Sequence, residues 1–279
     1  MSQRGRAPVP ELPEVETTRR GLVPILRGRR IIKVVVRERR LRWRLPAGFE
    51  AALAGRRVRT VARRGKYLLV CTDGGTLLVH LGMSGSLRVA DPVEAPRPHD
   101  HVELVLSSGR CLRFNDPRRF GSLQFVTGDP LKHPLLSALG PEPLSAGFDA
   151  DYLYARTRRR RVAIKQLLMN AAIVVGVGNI YASEALFRAG VRPQRAAGRL
   201  SRTEVARLVA AVRRVLGAAI RVGGTTLKDY VNADGLPGYF RQKLYVYERA
   251  GEPCRVCRTP IRRRVQGQRT TYWCPTCQR

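Results

Sequence analysis

Four cysteines near the C-terminus constrain this chain more than any other feature. Cys254-x-x-Cys257 and Cys274-x-x-Cys277 form two knuckles separated by sixteen residues. Each knuckle presents two sulfurs from one tight turn. Together they bring four thiolates to the corners of one tetrahedron, the closed geometry of a structural zinc ion. Disulfide frameworks belong to secreted chains and a redox C-x-x-C to a thioredoxin-like context, and neither is present. One Zn2+ per chain is the expected cofactor. Between the knuckles, Ile261–Val265 and Arg269–Trp273 read as strands around Gln266-Gly267-Gln268. The expected product is a small ribbon from which Arg262, Arg263, Arg264 and Arg269 project, a basic hairpin suited to a groove. Cys71 and Cys111 lie singly in apolar runs and read as buried thiols.

Charge indicates what that groove belongs to. Lys and Arg number 52 against 21 Asp and Glu, a net charge of +31 with a pI near 11.4. Such a field draws polyanions, nucleic acid first. An anionic membrane surface is the competing partner, but no apolar run nears the length of a span and no lipidation motif or apolar amphipathic anchor occurs. Without a signal peptide, a reducing cytoplasmic compartment is expected. Only six of the basic residues are lysines, among them Lys66 and Lys165. That bias suits a GC-rich genome and adds weight to the positions that keep lysine.

At 279 residues and 44% hydrophobic, the chain has material for more than one core. Residues 1–9 lack periodicity and read as a disordered extension. Pro10 to Thr17 then opens a helix running to about Arg27. Pro13 suits its first turn, and Glu14 and Glu16 complement the positive end of its dipole. Strands are expected over Arg30–Arg37, over Val58–Val70 and Thr76–His80 around Asp73-Gly74-Gly75, and over Val102–Leu106 and Cys111–Phe114 around Ser107-Ser108-Gly109. They imply an antiparallel β-sandwich or flattened barrel with a flanking helix over residues 10–135. A Pro/Gly/Ser-rich linker follows at 136–150.

Beyond it the period becomes helical, giving an α+β multidomain chain with a helical domain over 151–245 and the zinc ribbon over 246–279. Val162–Met169 and Ile180–Arg188 have helical spacing. Between them, Gly176-Val177-Gly178-Asn179 lacks the preceding strand and third glycine of a dinucleotide loop. It reads either as a helix N-terminus offering free N–H groups to a phosphate, with Lys165 and Asn179 adding donors, or as a plain helix–helix turn. Ser201 and Glu204 form a capping box ahead of the stripe Val205, Leu208, Val212, Leu216, Ala219, and Gly223-Gly224 ends that helix. A loop from Thr225 to about Gly238 leads to a strand-like Lys243–Tyr247.

Taken in order, these stretches resemble the bacterial formamidopyrimidine-DNA glycosylase family. The likeness rests on PELPEVETTRRGL from Pro10, RRGKYLLV at 63–70, HLGMSGSLR at 80–88 and NDPRRFG at 115–121. QLLMN at 166–170, VVGVGNIYASEALF at 174–187, GGTTLKDYVNADGLPGYF at 223–240 and the four cysteines complete it. The resemblance implies a monomeric bifunctional glycosylase and lyase acting on damaged double-stranded DNA in base excision repair, including 8-oxoguanine and ring-opened purines. Pro10, as N-terminal residue, would attack the anomeric carbon and expel the base, and the Schiff base would permit β- and δ-elimination. Glu11 would be the general acid/base, with Lys66 and Arg269 completing the catalytic set. Met83, Arg118 and Phe120 would fill the hole left by the flipped base. Lys165, Asn179 and Arg269 would hold phosphates around the kinked site, and His99 would bind the DNA. Glu14, Thr225, Thr226 and Tyr239 would recognise the lesion.

The sequence departs from that pattern in one respect. Nine residues precede Pro10, so in the 279-residue chain its nitrogen is an amide that cannot form a Schiff base. The expectation is a start at Val9, read as Met from a GUG codon and trimmed to expose Pro10. Proteolysis of the extension would have the same result. The alternatives are a sister endonuclease VIII-like enzyme acting on oxidised pyrimidines and a catalytically inactive DNA-binding paralogue that retains the extension.

Overall fold

The computed structural model describes residues 10–223 and 244–279. They fall into two compact units, residues 10–137 with Gly223, and residues 138–222 with 244–279.

The first unit opens with helix α1, Leu12–Leu26. Pro13 lies in its first turn, and Glu14 at the third helical position accepts the Glu11 N–H at 2.9 Å, satisfying a donor the helix cannot. Strand β1 (Ile31–Val36) and the short helix α2 (Phe49–Leu53) follow. Then come β2 (Val58–Arg64), β3 (Tyr67–Thr72), β4 (Gly75–His80) and β5 (Ser86–Ala90). Strands β6 (Asp100–Leu106), β7 (Cys111–Asn115) and β8 (Ser122–Val126) and helix α3 (Pro134–Ser137) complete the unit. The strands form two antiparallel four-stranded sheets, ordered β1-β6-β7-β5 and β2-β3-β4-β8. Leu68, Val70, Leu77 and Val79 from one sheet and Val102, Leu104, Leu112 and Phe114 from the other share one core with Val15, Leu22 and Leu26 of α1. This is the sandwich with a flanking helix that the sequence implied.

Three details differ. The run Val58–Val70 is two strands, not one. Gly65, at φ +57°, takes the left-handed conformation of a two-residue turn, so Arg64 pairs with Tyr67 and Lys66 sits at the tip. Strands β5 and β8, five residues each and next to glycine-containing loops, are absent from the sequence reading. Of the two lone cysteines, Cys111 is buried and Cys71 only half-buried.

The second unit contains α4 (Ala150–Thr157), α5 (Ile164–Leu168), α6 (Asn179–Ala189) and α7 (Arg202–Arg221), with the hairpin β9 (Arg262–Gln266) and β10 (Arg269–Trp273). The α7 capping box is formed: Ser201 Oγ accepts from Glu204 N–H at 3.2 Å, and Glu204 Oε2 from Ser201 N–H at 2.8 Å. Gly223, at φ +84°, follows the helix end. The α7 stripe packs in one core with Ile180, Tyr181, Ala185 and Leu186 of α6 and with Phe148, itself fully buried. Helix α4, absent from the sequence reading, starts at the N-cap Asp149, which accepts the Tyr152 N–H at 2.7 Å.

Leu244–Tyr247 is not a strand. The buried carboxylate of Glu184 on α6 accepts three successive N–H groups, Tyr245 at 2.8 Å, Val246 at 2.9 Å and Tyr247 at 3.0 Å. Donors gathered on one carboxylate cannot enter a ladder, so the segment turns. Burial raises the Glu184 pKa against the opposing effect of those hydrogen bonds. Among the described residues no helix is long and apolar enough to cross a membrane.

Candidate active site, DNA interface and metal centre

In the first unit, the start of α1 is tied to the hairpin that carries Lys66. Glu11 and Glu14 are both buried at the helix start, only 2% and 3% exposed. One turn on, Glu16 Oε2 accepts from Arg63 Nε at 3.2 Å, and Arg63 also donates to the carbonyl of Gly65 at 2.8 Å. Glu16 is held from its own helix by Arg19 and Arg20 at 2.9 and 3.0 Å. Burial opposes its ionisation, but these hydrogen bonds outweigh it and set its pKa at about 2. Glu16 therefore acts less on the helix dipole than on Arg63, and through Arg63 on the turn that presents Lys66.

Beside that turn is a group the sequence reading missed. The Tyr67 and His80 rings lie 4.8 Å apart on paired strands. His80 Nδ1 accepts the Gly82 N–H at 3.0 Å, which leaves the ring proton on Nε2. Burial first, then the charges of Lys66 and Arg42, push its pKa to about 4, so it is a neutral donor at pH 7.

Met83, His99, Arg118 and Phe120 come from three loops joined by one residue, Asp116. Fully buried, it accepts from Ser84 Oγ at 2.6 Å and from Gly121 N–H at 2.7 Å. Its own N–H donates to the carbonyl of His99 at 3.1 Å, and Ser84 Oγ accepts the Arg118 N–H at 3.2 Å. The Met83 loop and the Phe120 loop touch backbone to backbone at Gly82: a Cβ there would lie 2.5 Å from the Gly121 nitrogen. The Arg118 guanidinium covers the Phe120 ring at 4.8 Å, and that ring remains 45% exposed. His99 and Arg119 hold left-handed backbones, φ +70° and +56°, a conformation uncommon outside glycine that histidine tolerates better than arginine. The His99 loop is fixed further by Asn115, which donates to the Pro98 carbonyl at 2.8 Å. A polarisable thioether, a cation and an exposed ring thus project from a rigid base, as an insert into a base stack requires.

In the second unit, Gly176 at φ +80° and the N-cap Gly178 make the tight turn that starts α6 at Asn179. The Asn179 amide donates to Thr270 O at 3.1 Å and accepts from Lys165 Nζ at 2.5 Å. Lys165 is only 2% exposed and also donates to Thr271 Oγ1 at 2.7 Å. These contacts join α5 and α6 to the ribbon strand that begins at Arg269. Gln166, next along α5, packs against the hairpin turn, where a Cβ on Gly267 would meet its amide at 2.4 Å.

The four cysteine sulfurs all lie within 4.8 Å of one another. Measured pairs are Cys254–Cys277 at 3.9 Å and Cys257–Cys274 and Cys257–Cys277 at 3.4 Å. A zinc tetrahedron with Zn–S near 2.3 Å has edges of about 3.8 Å. The Val256 and Cys277 N–H groups donate to Cys254 and Cys274 sulfur at 3.4 Å, as thiolates require. The site fits zinc. Thr225, Thr226 and Tyr239 lie outside the described residues.

A capped helix on a β-sandwich, a helical unit and a four-cysteine ribbon define a zinc-ribbon protein of the helix-two-turn-helix class. Three family models match in succession: the formamidopyrimidine-DNA glycosylase N-terminal domain over residues 9–123, its H2TH domain over 139–231, and a zinc finger found in FPG and IleRS over 251–279. The formamidopyrimidine-DNA glycosylase of Thioalkalivibrio sulfidiphilus is 60% identical over 271 residues, covering 97% of this chain and all of that protein. That of Methylococcus capsulatus is 56% identical with the same coverage. The crystal structure of MutM (Fpg) from Thermus thermophilus matches at TM-score 0.86 and 46% identity, covering 96% of this chain and 98% of that one. Lactococcus lactis Fpg in complex with DNA containing an abasic site matches at 0.89 and 32% identity, over 96% and 99%. The chain belongs to the formamidopyrimidine-DNA glycosylase family.

Proposed function

We propose that this protein excises oxidised purines, 8-oxoguanine and formamidopyrimidines, from duplex DNA and then cuts the strand at the abasic sugar. The observation that carries the reading is the joining of Met83, His99, Arg118 and Phe120 through Asp116, a rigid insert for a flipped base. Flipping costs a few kcal/mol of stacking, which the inserted thioether, guanidinium and ring partly restore.

Pro10 is the nucleophile of the reading. An α-amino group titrates at about pH 7.7–8.0 in general, so an N-terminal secondary amine offers an unprotonated fraction near neutral pH and forms an iminium directly. Its nitrogen attacks the anomeric carbon, the base leaves with a proton, and an iminium forms. Glu11 moves the protons of sugar opening and base departure. Loss of a proton from the sugar then expels the 3′ phosphate and, in the second elimination, the 5′ phosphate. Lys66 holds the lesion's phosphate and sugar, and Arg269 supports the second elimination. Lys165 sets Asn179 and the Arg269 strand rather than meeting phosphate itself. Glu14, Thr225, Thr226 and Tyr239 read the lesion. The reading requires a free Pro10 amine, and the protein works in the cytoplasm on nucleoid DNA as a monomer.

Glu11→Gln tests the assignment. It is expected to lower single-turnover excision of 8-oxoguanine at least a hundredfold, in line with a positioned acid/base, with binding to the lesion duplex within threefold. Unchanged excision would remove Glu11 from the mechanism. Preferential excision of an oxidised pyrimidine by the unmodified enzyme would move the chain to the sister specificity.

A further inference from the structure

One cavity of the second unit is not used by this chemistry. It measures about 470 Å3 and is lined by Arg192, Arg195, Arg199, Arg264, Gln194 and Trp273, with Arg279 at its wall. Of these guanidiniums, only Arg195 meets a carboxylate, gripping Glu204 at 3.0 Å, and it also donates to the Arg199 carbonyl at 2.8 Å. Arg192, Arg199, Arg264 and Arg279 have no carboxylate within ion-pair distance among the described residues. The C-terminal carboxylate of Arg279, the one anionic group of the lining residues, accepts the Arg192 N–H at 2.9 Å. The cavity wall is therefore strongly cationic.

Net charge alone makes exposed arginines common in this protein, and a cationic wall would carry nothing without its buried part. Trp273 is only 7% exposed, and its indole N–H finds no acceptor among the described atoms. The Gln194 amide is buried with both its oxygen and its nitrogen unpartnered. Buried polar groups are nearly always paired, so three unpartnered polar atoms on two side chains of one cavity mark a place built for a partner. The donors outnumber the acceptors: five guanidinium forks, an indole N–H and an amide NH2 against one amide oxygen and the C-terminal carboxylate of Arg279. Guanidinium forks match the tetrahedral oxygens of phosphate, and the volume lies within the range of small-ligand sites.

We propose that this cavity is a phosphate-binding site, separate from the Lys66, Asn179 and Arg269 set, with Trp273 donating its indole N–H to a phosphate oxygen. Two sources share that chemistry, a free pyrophosphate-bearing ligand and the backbone of duplex DNA.

The zinc-loaded chain beginning at Pro10, with Trp43→Phe so that Trp273 is the only tryptophan, tests it by titration with pyrophosphate and with lesion-free duplex over a range of salt. Variants are Trp273→Phe, the pair Arg192→Gln/Arg199→Gln, and Arg207→Gln/Arg214→Gln as an equal charge change outside the cavity. Zinc content and melting temperature establish that each is folded. A free ligand is the source if pyrophosphate changes Trp273 fluorescence at saturation, Trp273→Phe weakens its calorimetric binding about tenfold, as loss of a hydrogen bond to a charged group does, and the Arg192/Arg199 pair abolishes it. DNA is the source if the Arg192/Arg199 pair lowers the slope of log affinity against log salt by about two while the Arg207/Arg214 pair leaves it within half a unit. Unaltered pyrophosphate and duplex binding in the Trp273 and Arg192/Arg199 variants overturns the proposal. So does an equal slope change in both arginine pairs without pyrophosphate binding.

Discussion

Glu16 illustrates how little a residue's sequence role can say about its structural one. On sequence it was one of two acids at a helix start, and Glu14 does cap that helix. Glu16 instead faces Arg19, Arg20 and Arg63, the last 47 positions away, so no local pattern could disclose it. Its pKa falls from 4.5 to about 2. A carboxylate depressed in the folded state stabilises at pH above its unfolded value, and that contribution is lost as pH falls from about 4.5 towards 2. Glu16→Gln should therefore lower stability by about 2 kcal/mol at pH 7 and by little near pH 2. Urea melts at the two pH values check this, and an equal loss at both would refute the ionic role of Glu16 toward Arg19, Arg20 and Arg63. Gly82 makes a second test at this scale. Its φ of +65° and the 2.5 Å approach of Gly121 leave no room for a methyl group. Gly82→Ala should cost about 1–3 kcal/mol, and should weaken binding to a lesion duplex more than to single-stranded DNA. Wild-type affinity for both would count against the proposed insertion of these loops into DNA. The motifs HLGMSGSLR and NDPRRFG pointed to Met83, Arg118 and Phe120 through the family resemblance, and the structure joins the loops that carry them. Asp116 was not legible, because an aspartate before a proline looks like an ordinary turn former.

Elements with local causes were legible. The α7 capping box and its apolar stripe, the Gly178 start of α6 and the ribbon hairpin all formed where their residues indicated. Those with distant causes were not. Leu244–Tyr247 has the aromatic and β-branched composition of a strand, but the Glu184 carboxylate, some 60 residues upstream, takes its N–H groups. Lys165 and Asn179 looked like two phosphate donors, and only the structure brings Thr270 and Thr271 to them. The ribbon therefore depends on two supports, the metal and this contact. Removing zinc with a chelator should unfold residues 251–279, because separated thiolates leave the hairpin almost no core. Its small core is Phe187, Val246, Ile261 and the cysteines themselves. Circular dichroism and duplex binding should fall together and recover with added Zn2+. Retention of full DNA affinity by the zinc-free protein would contradict a role for the ribbon in the grip.

At the scale of the whole molecule, composition declared the partner and the N-terminal chemistry declares the reaction. A charge of +31 serves any polyanion, and the proposed chemistry adds to it one amine at one position. In the proposed reading, the capped start of α1, the Lys66 turn held through Arg63 and the loops joined by Asp116 serve to deliver a flipped nucleotide to that amine. Borohydride trapping on a duplex carrying 8-oxoguanine measures this most directly, comparing the chain that begins at Pro10 with the 279-residue chain. Intact mass defines each N-terminus. A covalent enzyme–DNA adduct from the first and none from the second is the predicted result. An adduct of equal yield from the 279-residue chain with its N-terminus intact, or none from the chain beginning at Pro10, would contradict the assignment of Pro10 as nucleophile.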